Sequence, residues 1–172
     1  MSVSLRPERP EDEEFLHSLY QAARAAEMAL APWDDAQKQA FLRSQFLLQR
    51  THYRSYYADA RFDIIELRGV PVGRLYVHRS PGEIRLMDIA IIPACRNQGL
   101  GTMLMRQLVA EAATANCRVT LHVEADNPAR RLYERLGFRP LAMNGPYLFM
   151  ESRPDLPTPQ PPPEDQRGDA GA

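Results

Sequence analysis

The apolar and polar positions between residues 84 and 113 predict a strand, a glycine turn and a helix in succession. Residues 84–92 form a dense run of β-branched and long apolar side chains that only Arg85 and Asp88 interrupt, and Pro93 ends it. After a short polar turn, apolar residues recur at the i, i+3, i+4 and i+8 spacing of one helical face: Leu100, Met103, Leu104 and Leu108. We therefore expect a strand covered on both faces, followed by a helix.

The same periodicities predict further strands and helices. Helices are expected from about residue 11, from Asp34, whose spacing to Gln37 fits a capping box, and from Asn127, with Gly137 just past the end of that last helix. The remaining strands are expected where short apolar runs or alternating patterns occur, at residues 3–6, 62–67, 72–77, 118–124, 138–142 and 147–151.

Composition places these elements in one folded domain and argues against several classes of function. The chain has 172 residues, of which 44% are hydrophobic, and its net charge of -1 provides no global field for nucleic acid or an anionic membrane. No apolar run approaches the ~20 residues that a bilayer span needs, and no leader pattern precedes the first strand. Cys95 and Cys117 are too few for a disulfide framework, which favours a reducing cytoplasm.

The domain is expected to occupy residues 1–151. Residues 152–172 are rich in proline and charge and hold almost nothing apolar to bury. Such a segment cannot offset its ordering entropy, so we expect a disordered tail there.

The glycine turn has the composition of an anion-binding site. Gly99 and Gly101 lack Cβ atoms, so the backbone can approach a ligand closely, and the first N–H groups of the following helix are uncapped. A triphosphate-binding loop would need Gly-Lys-Ser/Thr, but Thr102 follows Gly101. A dinucleotide fingerprint would need a third glycine where Leu104 stands. Neither alternative fits the turn well.

Two motifs in this chain resemble those of one enzyme superfamily. The sequence Arg96-Asn97-Gln98-Gly99-Leu100-Gly101 is similar to the Arg/Gln-x-x-Gly-x-Gly/Ala pyrophosphate loop of GNAT acetyltransferases. One strand later, residues 127–138 resemble the family segment Asn-x-Ala-x-x-Leu-Tyr-x-x-x-Gly-Phe, although many members have one more residue between the Asn and the Ala. The resemblance covers residues 1 to about 151, with the motifs in the family's order. On it, the chain is identified as a member of the GNAT superfamily.

The resemblance implies the fold and the cosubstrate. The fold is α/β, with a central, mostly antiparallel mixed sheet that splays into a V between the Ile84 and Arg118 strands, and with helices on both faces. Acetyl-CoA would be the acetyl donor; no metal is expected, since His17, His52 and His78 show no metal-ligand spacing. The residues expected to bind acetyl-CoA are Ile89, Ala90, Ile91, Arg96, Asn97, Gln98, Gly99, Leu100, Gly101, Thr102, Asn127 and Arg130.

Acetyl transfer to an amine needs an acid for the leaving thiolate and donors for the developing oxyanion. By resemblance the acid is Tyr133, whose hydroxyl, with a reference pKa of about 10, stays protonated at neutral pH. A role as a core aromatic is the alternative for this residue. The oxyanion donor would be a backbone N–H of the central strand, at Ile89 or Ala90.

The reaction also needs a base, because only the neutral amine attacks. His122 is the first candidate, since it titrates near neutral pH and shares a strand face with Glu124. Glu124 and Asp88 are the reserves. A solvated strand face is the alternative for His122, and backbone hydrogen bonds at a bulge are the alternative for Asp88.

The acceptor site is predicted from aromatic residues. Residues 28–57 show a less regular pattern than the rest of the chain and concentrate aromatic side chains, with Trp33, Tyr53 and Tyr57 as candidates for the pocket. Packing between helices is an equal alternative. The function predicted is direct transfer of acetyl to a small-molecule or peptide amine in a ternary complex; the alternative is an acyl-CoA-binding sensor without turnover. No nucleic-acid or membrane partner is expected, and the sequence leaves a homodimer open.

Overall fold

The computed structural model describes residues 2–154, so the predicted tail lies almost wholly outside the described residues. The strands are β1 (Val3–Pro7), β2 (Arg61–Leu67), β3 (Val70–Ser80), β4 (Glu83–Ile91), β5 (Arg118–Glu124), β6 (Arg139–Asn144) and β7 (Tyr147–Ser152). The helices are α1 (Glu13–Leu30), α2 (Asp35–Tyr56), α3 (Leu100–Ala115) and α4 (Ala129–Arg135). The last strand ends at the buried Ser152, one residue beyond the domain boundary expected from the sequence.

The strands form one sheet in the order β1, β2, β3, β4, β5, β7, β6. Every neighbouring pair is antiparallel except β4 and β5, which are parallel. A parallel pair needs a crossover connection, and α3 provides it, as the strand, turn and helix pattern predicts. The expected mostly antiparallel mixed sheet is confirmed.

The sheet splays open between β4 and β5. The two strands pair only from Glu83 opposite Arg118 to Leu86 opposite Leu121, although β4 continues to Ile91. Beyond Leu86, β4 pairs with β3 alone and β5 pairs with β7 alone. The V expected from the resemblance is confirmed, and the edge of β4 that faces it has no strand partner within residues 2–154.

Helices cover both faces of the sheet, as expected. Successive residues of a strand point to opposite faces, and β2 shows the division clearly. Ile64 packs with Leu16 of α1 and Phe46 of α2, whereas Ile65 belongs to the larger core that contains Leu104 of α3. The α2 face and the α3 face therefore carry separate hydrophobic clusters.

Helix α2 is longer and more regular than the sequence suggests. The capping box is confirmed, because Gln37 N donates to Asp34 Oδ1 at 2.8 Å and Asp34 N donates to the Gln37 side chain at 3.0 Å. The helix then continues to Tyr56. Its last turns are held by Arg50 and Arg54, which both donate to Glu8, so tertiary contacts sustain a helix whose local apolar pattern is weak.

The pairing of β3 with β4 contains a β-bulge at Met87. Asp88 lies opposite Tyr76, and Arg85 lies opposite His78. The two β4 residues are therefore three positions apart, whereas their partners on β3 are two positions apart. Residues two apart on β3 share a face, so Asp88 and Arg85 share a face as well. Strict alternation over three positions would have placed these two charges on opposite faces.

Gly73 lies close to the backbone of β4, and we predict that alanine there is destabilising. A Cβ at this position would lie 2.3 Å from Ala90 O. The strands must then separate, at a cost of about 1–3 kcal/mol in the free energy of unfolding, measured by urea denaturation. Gly101→Ala is the control, since its Cβ would have only Ile91 Cδ1 nearby, at 3.9 Å. Equal stability of the two variants would contradict the prediction.

Candidate active site

A groove of about 880 Å³ opens where β4 and β5 diverge. Residues 89–91 of β4, the turn at residues 95–102 and one side of α4 line it. Every residue expected to bind acetyl-CoA lines this groove except Gln98 and Arg130. The structure therefore brings together two motifs that are about 30 residues apart in the sequence, as the crossover topology requires.

Two arginines that the sequence analysis did not select replace Arg130 in the groove. Arg130 Nε donates to Glu134 Oε1 at 2.9 Å, whereas Arg131 and Arg135 line the groove. The latter two are four residues apart and so share one face of α4. That spacing was a signal available in the sequence. Gln98 is also turned away, with its amide donating to Ala94 O at 3.1 Å.

The glycine turn presents free N–H groups to the groove. Gly99 adopts a left-handed φ of 85° and precedes the first residue of α3. The first intrahelical bond runs from Met103 N to Gly99 O, so the N–H groups of residues 100–102 have no helical acceptor. They lie at the positive end of the helix dipole, with the Arg96 side chain held nearby by a 2.9 Å bond to Ile91 O. The arrangement suits a phosphate group.

The unpaired edge of β4 presents alternate backbone groups to the groove. The carbonyl of Ala90 points toward β3, because its oxygen lies close to Gly73. The N–H of Ile92 also points toward β3, where it donates to Val72 O at 2.8 Å. Because backbone groups alternate in direction along a strand, the N–H groups of residues 89 and 91 point toward the V. An extended ligand in the groove can bond to them as an added strand does.

Tyr133 belongs to both the core and the groove. Its side chain is 7% exposed, packs against Phe138 with ring centres 5.8 Å apart, and lines the groove. Burial raises the pKa of its hydroxyl to about 12, and the negative charge of Asp88 contributes to the rise. The hydroxyl is therefore protonated at neutral pH and available as a donor.

A second cavity, of about 290 Å³, lies on the α2 face of the sheet. It is lined chiefly by Tyr53, Tyr57, Arg85, Met87, His122 and Tyr147. His122 is bonded to the Asn144 side chain at 3.3 Å and packs against Phe149. Burial lowers the pKa of His122 below its ordinary value, and the charge of Arg85 lowers it further. The imidazole is therefore neutral at physiological pH and can accept a proton.

Asp88 stands between the two cavities. The residues before it, 86 and 87, line the second cavity, and residues 89–91 line the groove. The expected bulge is present beside it, but its carboxylate bonds to a side chain instead of the backbone, with Oδ2 accepting from Arg74 Nε at 2.5 Å. Burial first, and then the Asp88 charge, raises the pKa of both Tyr53 and Tyr133.

The other candidates divide clearly by location. Tyr53 and Tyr57 line the second cavity, but Trp33 does not and packs on Phe41, with ring centres 5.1 Å apart. Glu124 is exposed and lines neither cavity. Tyr147, which no sequence pattern singled out, also lines the second cavity as the first residue of β7, far from residues 28–57 in the chain.

Among residues 2–154, no group of three or more His, Cys, Asp or Glu side chains is arranged to hold a metal ion. None of the helices in that range combines the length and apolar character needed to cross a bilayer.

The chain is similar to known acetyltransferases in sequence and in fold. The family model described as "Acetyltransferase (GNAT) family" matches residues 14–138. The structure is similar to that of the PaiA N-acetyltransferase from Thermoplasma acidophilum in complex with coenzyme A, with a TM-score of 0.66 and 16% identity over 89% of this chain and 99% of that chain.

Two further solved structures have the same fold. They are the ribosomal-protein-S18-alanine N-acetyltransferase from Escherichia coli, with a TM-score of 0.60 and 19% identity over 91% of this chain and 96% of that chain, and the histone acetyltransferase HPA2 and related acetyltransferase from Corynebacterium glutamicum, with a TM-score of 0.64 and 24% identity over 92% and 99%. At such identities the likeness extends to the fold, while the family model covers most of the chain. The chain belongs to the GNAT family of acetyltransferases.

Proposed function

We propose that this protein transfers the acetyl group of acetyl-CoA directly to an amine acceptor within a ternary complex. One observation carries the proposal. The groove in the V and the second cavity on the α2 face share strand β4 and approach each other at Asp88, where β4 and β5 part. A donor in the large groove and an acceptor in the smaller cavity could meet there without either having to leave first.

The large groove has the chemistry that acetyl-CoA needs. Arg96, Arg131 and Arg135 supply positive charge, and the N–H groups of residues 100–102 supply donors for the pyrophosphate. The N–H groups of residues 89 and 91 face the V, where they would bond to the amides of the pantetheine arm. The thioester end would then lie beside Tyr133.

The residues at the junction divide the chemistry among them. Acetyl-CoA supplies an activated thioester, whose C–S bond breaks as the amine nitrogen bonds to the carbonyl carbon. The Ile89 N–H stabilises negative charge on the carbonyl oxygen, a role that Ala90 cannot share because its backbone groups point toward β3. Tyr133 gives its proton to the departing sulfur. His122 takes the proton that the amine must lose.

Thiol release from acetyl-CoA across a panel of amines tests the proposal. Acceleration by any amine, with the acetylated amine identified by mass, would establish the transferase. Tight binding of acetyl-CoA with no acceleration by any amine would instead identify an acyl-CoA sensor. The sensor would need only the groove, so the second cavity and the placement of Tyr133 favour turnover.

His122→Ala is expected to change the pH dependence of kcat/KM. The pKa of His122 is lowered, so in the wild-type enzyme the neutral base persists until the pH falls below its ordinary value of 6.5. Activity is then lost as His122 becomes protonated, which produces an acidic limb. The variant should lack that limb and recover activity at high pH, where the amine deprotonates unaided. If the acidic limb persists unchanged in the variant, His122 is not the base, and Asp88 or Glu124 is the next candidate.

A further inference from the structure

The second cavity has an unusual charge balance for a site that accepts an amine. Its lining contains the guanidinium of Arg85 and the imidazoles of His52 and His122. Among the described residues that line it, none is Asp or Glu. The walls are otherwise aromatic, with Tyr53 and Tyr57 prominent. Arg85 is the permanently charged residue of this lining, and its charge attracts an anion and repels a ligand that carries several ammonium groups.

Arg85 has donors to offer such an anion. Its side chain is 22% exposed, and its guanidinium lies over Phe149, with the guanidinium carbon 5.5 Å from the ring centre. Only Nε is engaged, in a long 3.4 Å contact with Glu83, whose other oxygen accepts from Arg118 at 3.0 Å. Within residues 2–154, the two terminal nitrogens make no hydrogen bond. A planar fork of this kind suits a carboxylate or a similar oxyanion.

The Met87 bulge sets the distance between Arg85 and the carboxylate of Asp88. The two lie opposite His78 and Tyr76, which are two residues apart, so their backbones are separated by ~7 Å on one face of the sheet. Oδ2 of Asp88 is engaged by Arg74, and Oδ1 has no hydrogen-bond partner among residues 2–154. The Arg85 guanidinium and the Asp88 carboxylate, which already pairs with Arg74, therefore belong to one face of β4, and Asp88 is nearer the residues that line the groove.

From this juxtaposition we propose that the second cavity selects amines that also carry a carboxylate a few bonds away, and that Arg85 binds the carboxylate while Asp88 receives the ammonium. The inference rests on the proposed transferase function and names its acceptor class. The orientation follows from the positions of the two charges. The reverse orientation would place the amine away from the groove and so away from the thioester. Polyamines and aminoglycosides, which are polycationic, are disfavoured by the same arrangement.

Matched acceptor pairs test the inference. Glycine, methionine and phenylalanine would each be compared with their own carboxamides, by thiol release at saturating acetyl-CoA. Arg85→Met keeps an unbranched side chain beside Phe149 but removes the guanidinium group. It should lower the ratio of kcat/KM for acid over amide about 10- to 100-fold relative to the wild-type ratio. The amino group of a carboxamide is less basic than that of the corresponding amino acid. This difference is the same for both enzymes, so it cancels when the acid-to-amide ratio of the variant is compared with that of the wild type. Arg85→Lys should retain part of the preference, because it keeps the charge.

Several outcomes would overturn the inference. Equal losses for acid and amide in Arg85→Met would show that Arg85 does not bind the carboxylate, provided that acetyl-CoA affinity and melting temperature are unchanged. A wild-type enzyme that prefers spermidine to every amino acid would overturn it too. Absence of turnover with every amine would refute the transferase function separately. In that case calorimetry with phenylalanine and the CoA-bound protein still decides, since binding that is lost in Arg85→Met supports the assigned contact and absence of binding refutes it.

Discussion

Tyr133→Phe is expected to lower kcat about 100-fold or more while acetyl-CoA affinity stays nearly constant, as for loss of a positioned general acid. The substitution removes one hydroxyl and keeps the ring that packs against Phe138, so the groove retains its shape. The wild-type hydroxyl carries a proton to donate because burial raises its pKa to about 12. It therefore remains protonated throughout the pH range in which the enzyme can be assayed, and no alkaline limb below that value should come from Tyr133.

The measurement separates turnover from binding. Steady-state kinetics give kcat, and calorimetry with acetyl-CoA gives affinity for the free enzyme. Tyr56→Phe is a matched control, since Tyr56 is 74% exposed and lines neither cavity. If Tyr133→Phe and Tyr56→Phe retain the same kcat, the sulfur is protonated by another group or by solvent, and Tyr133 is a packing residue of the groove wall.

Gly101→Val is expected to weaken acetyl-CoA binding about 100-fold or more without loss of stability, because added atoms would overlap the phosphate oxygens. The fold itself does not require glycine here, since a Cβ would meet only Ile91 Cδ1 at 3.9 Å. The position lies in the first turn of α3, where glycine is a poorer helix former than valine. Its presence is therefore better explained by a ligand than by the helix.

Gly101→Ala is the control, because the resembling family pattern accepts glycine or alanine at this place. It should bind acetyl-CoA with an affinity close to that of the wild type. Gly99→Val is less informative: Gly99 has a φ of 85°, so any side chain there strains the backbone whether or not a ligand is present. Wild-type affinity in Gly101→Val would place the pyrophosphate elsewhere in the groove.

The sequence predicts the fold and most of the residues that line the groove, because both depend on local patterns. Short-range sequence signals each specify one local structure. They include the strand, glycine turn and helix, the capping box at Asp34 and the αL glycine at Gly137. The groove follows from them, since a parallel crossover carries the glycine turn to the open end of β4. Arg130 and Gln98 do not line the groove, because their side chains bond to Glu134 and to Ala94 O instead.

The acceptor side is less predictable, because it depends on pairing between distant segments. Arg85 and Asp88 stand out in an apolar strand, but period-two alternation assigns them to opposite faces. The bulge that unites them depends on how β3 pairs with β4, and no single strand encodes it. Tyr147 enters the site from a hairpin 90 residues beyond Tyr57, whereas Trp33, nearer in sequence, does not enter it.

The Met87 bulge makes β4 a strand with two independent halves. The half before it carries Arg85 into the second cavity, and the half after it, residues 89–91, lines the groove. Under the proposed function, substitutions in the first half would alter which amine is recognised, while the backbone proposed to hold the coenzyme would stay in place. The acceptor could then change by single substitutions without loss of the donor site. An insertion or deletion of one residue at Met87 would instead move every side chain on one side of it to the opposite face of the sheet. Related sequences should therefore rarely differ by such a change.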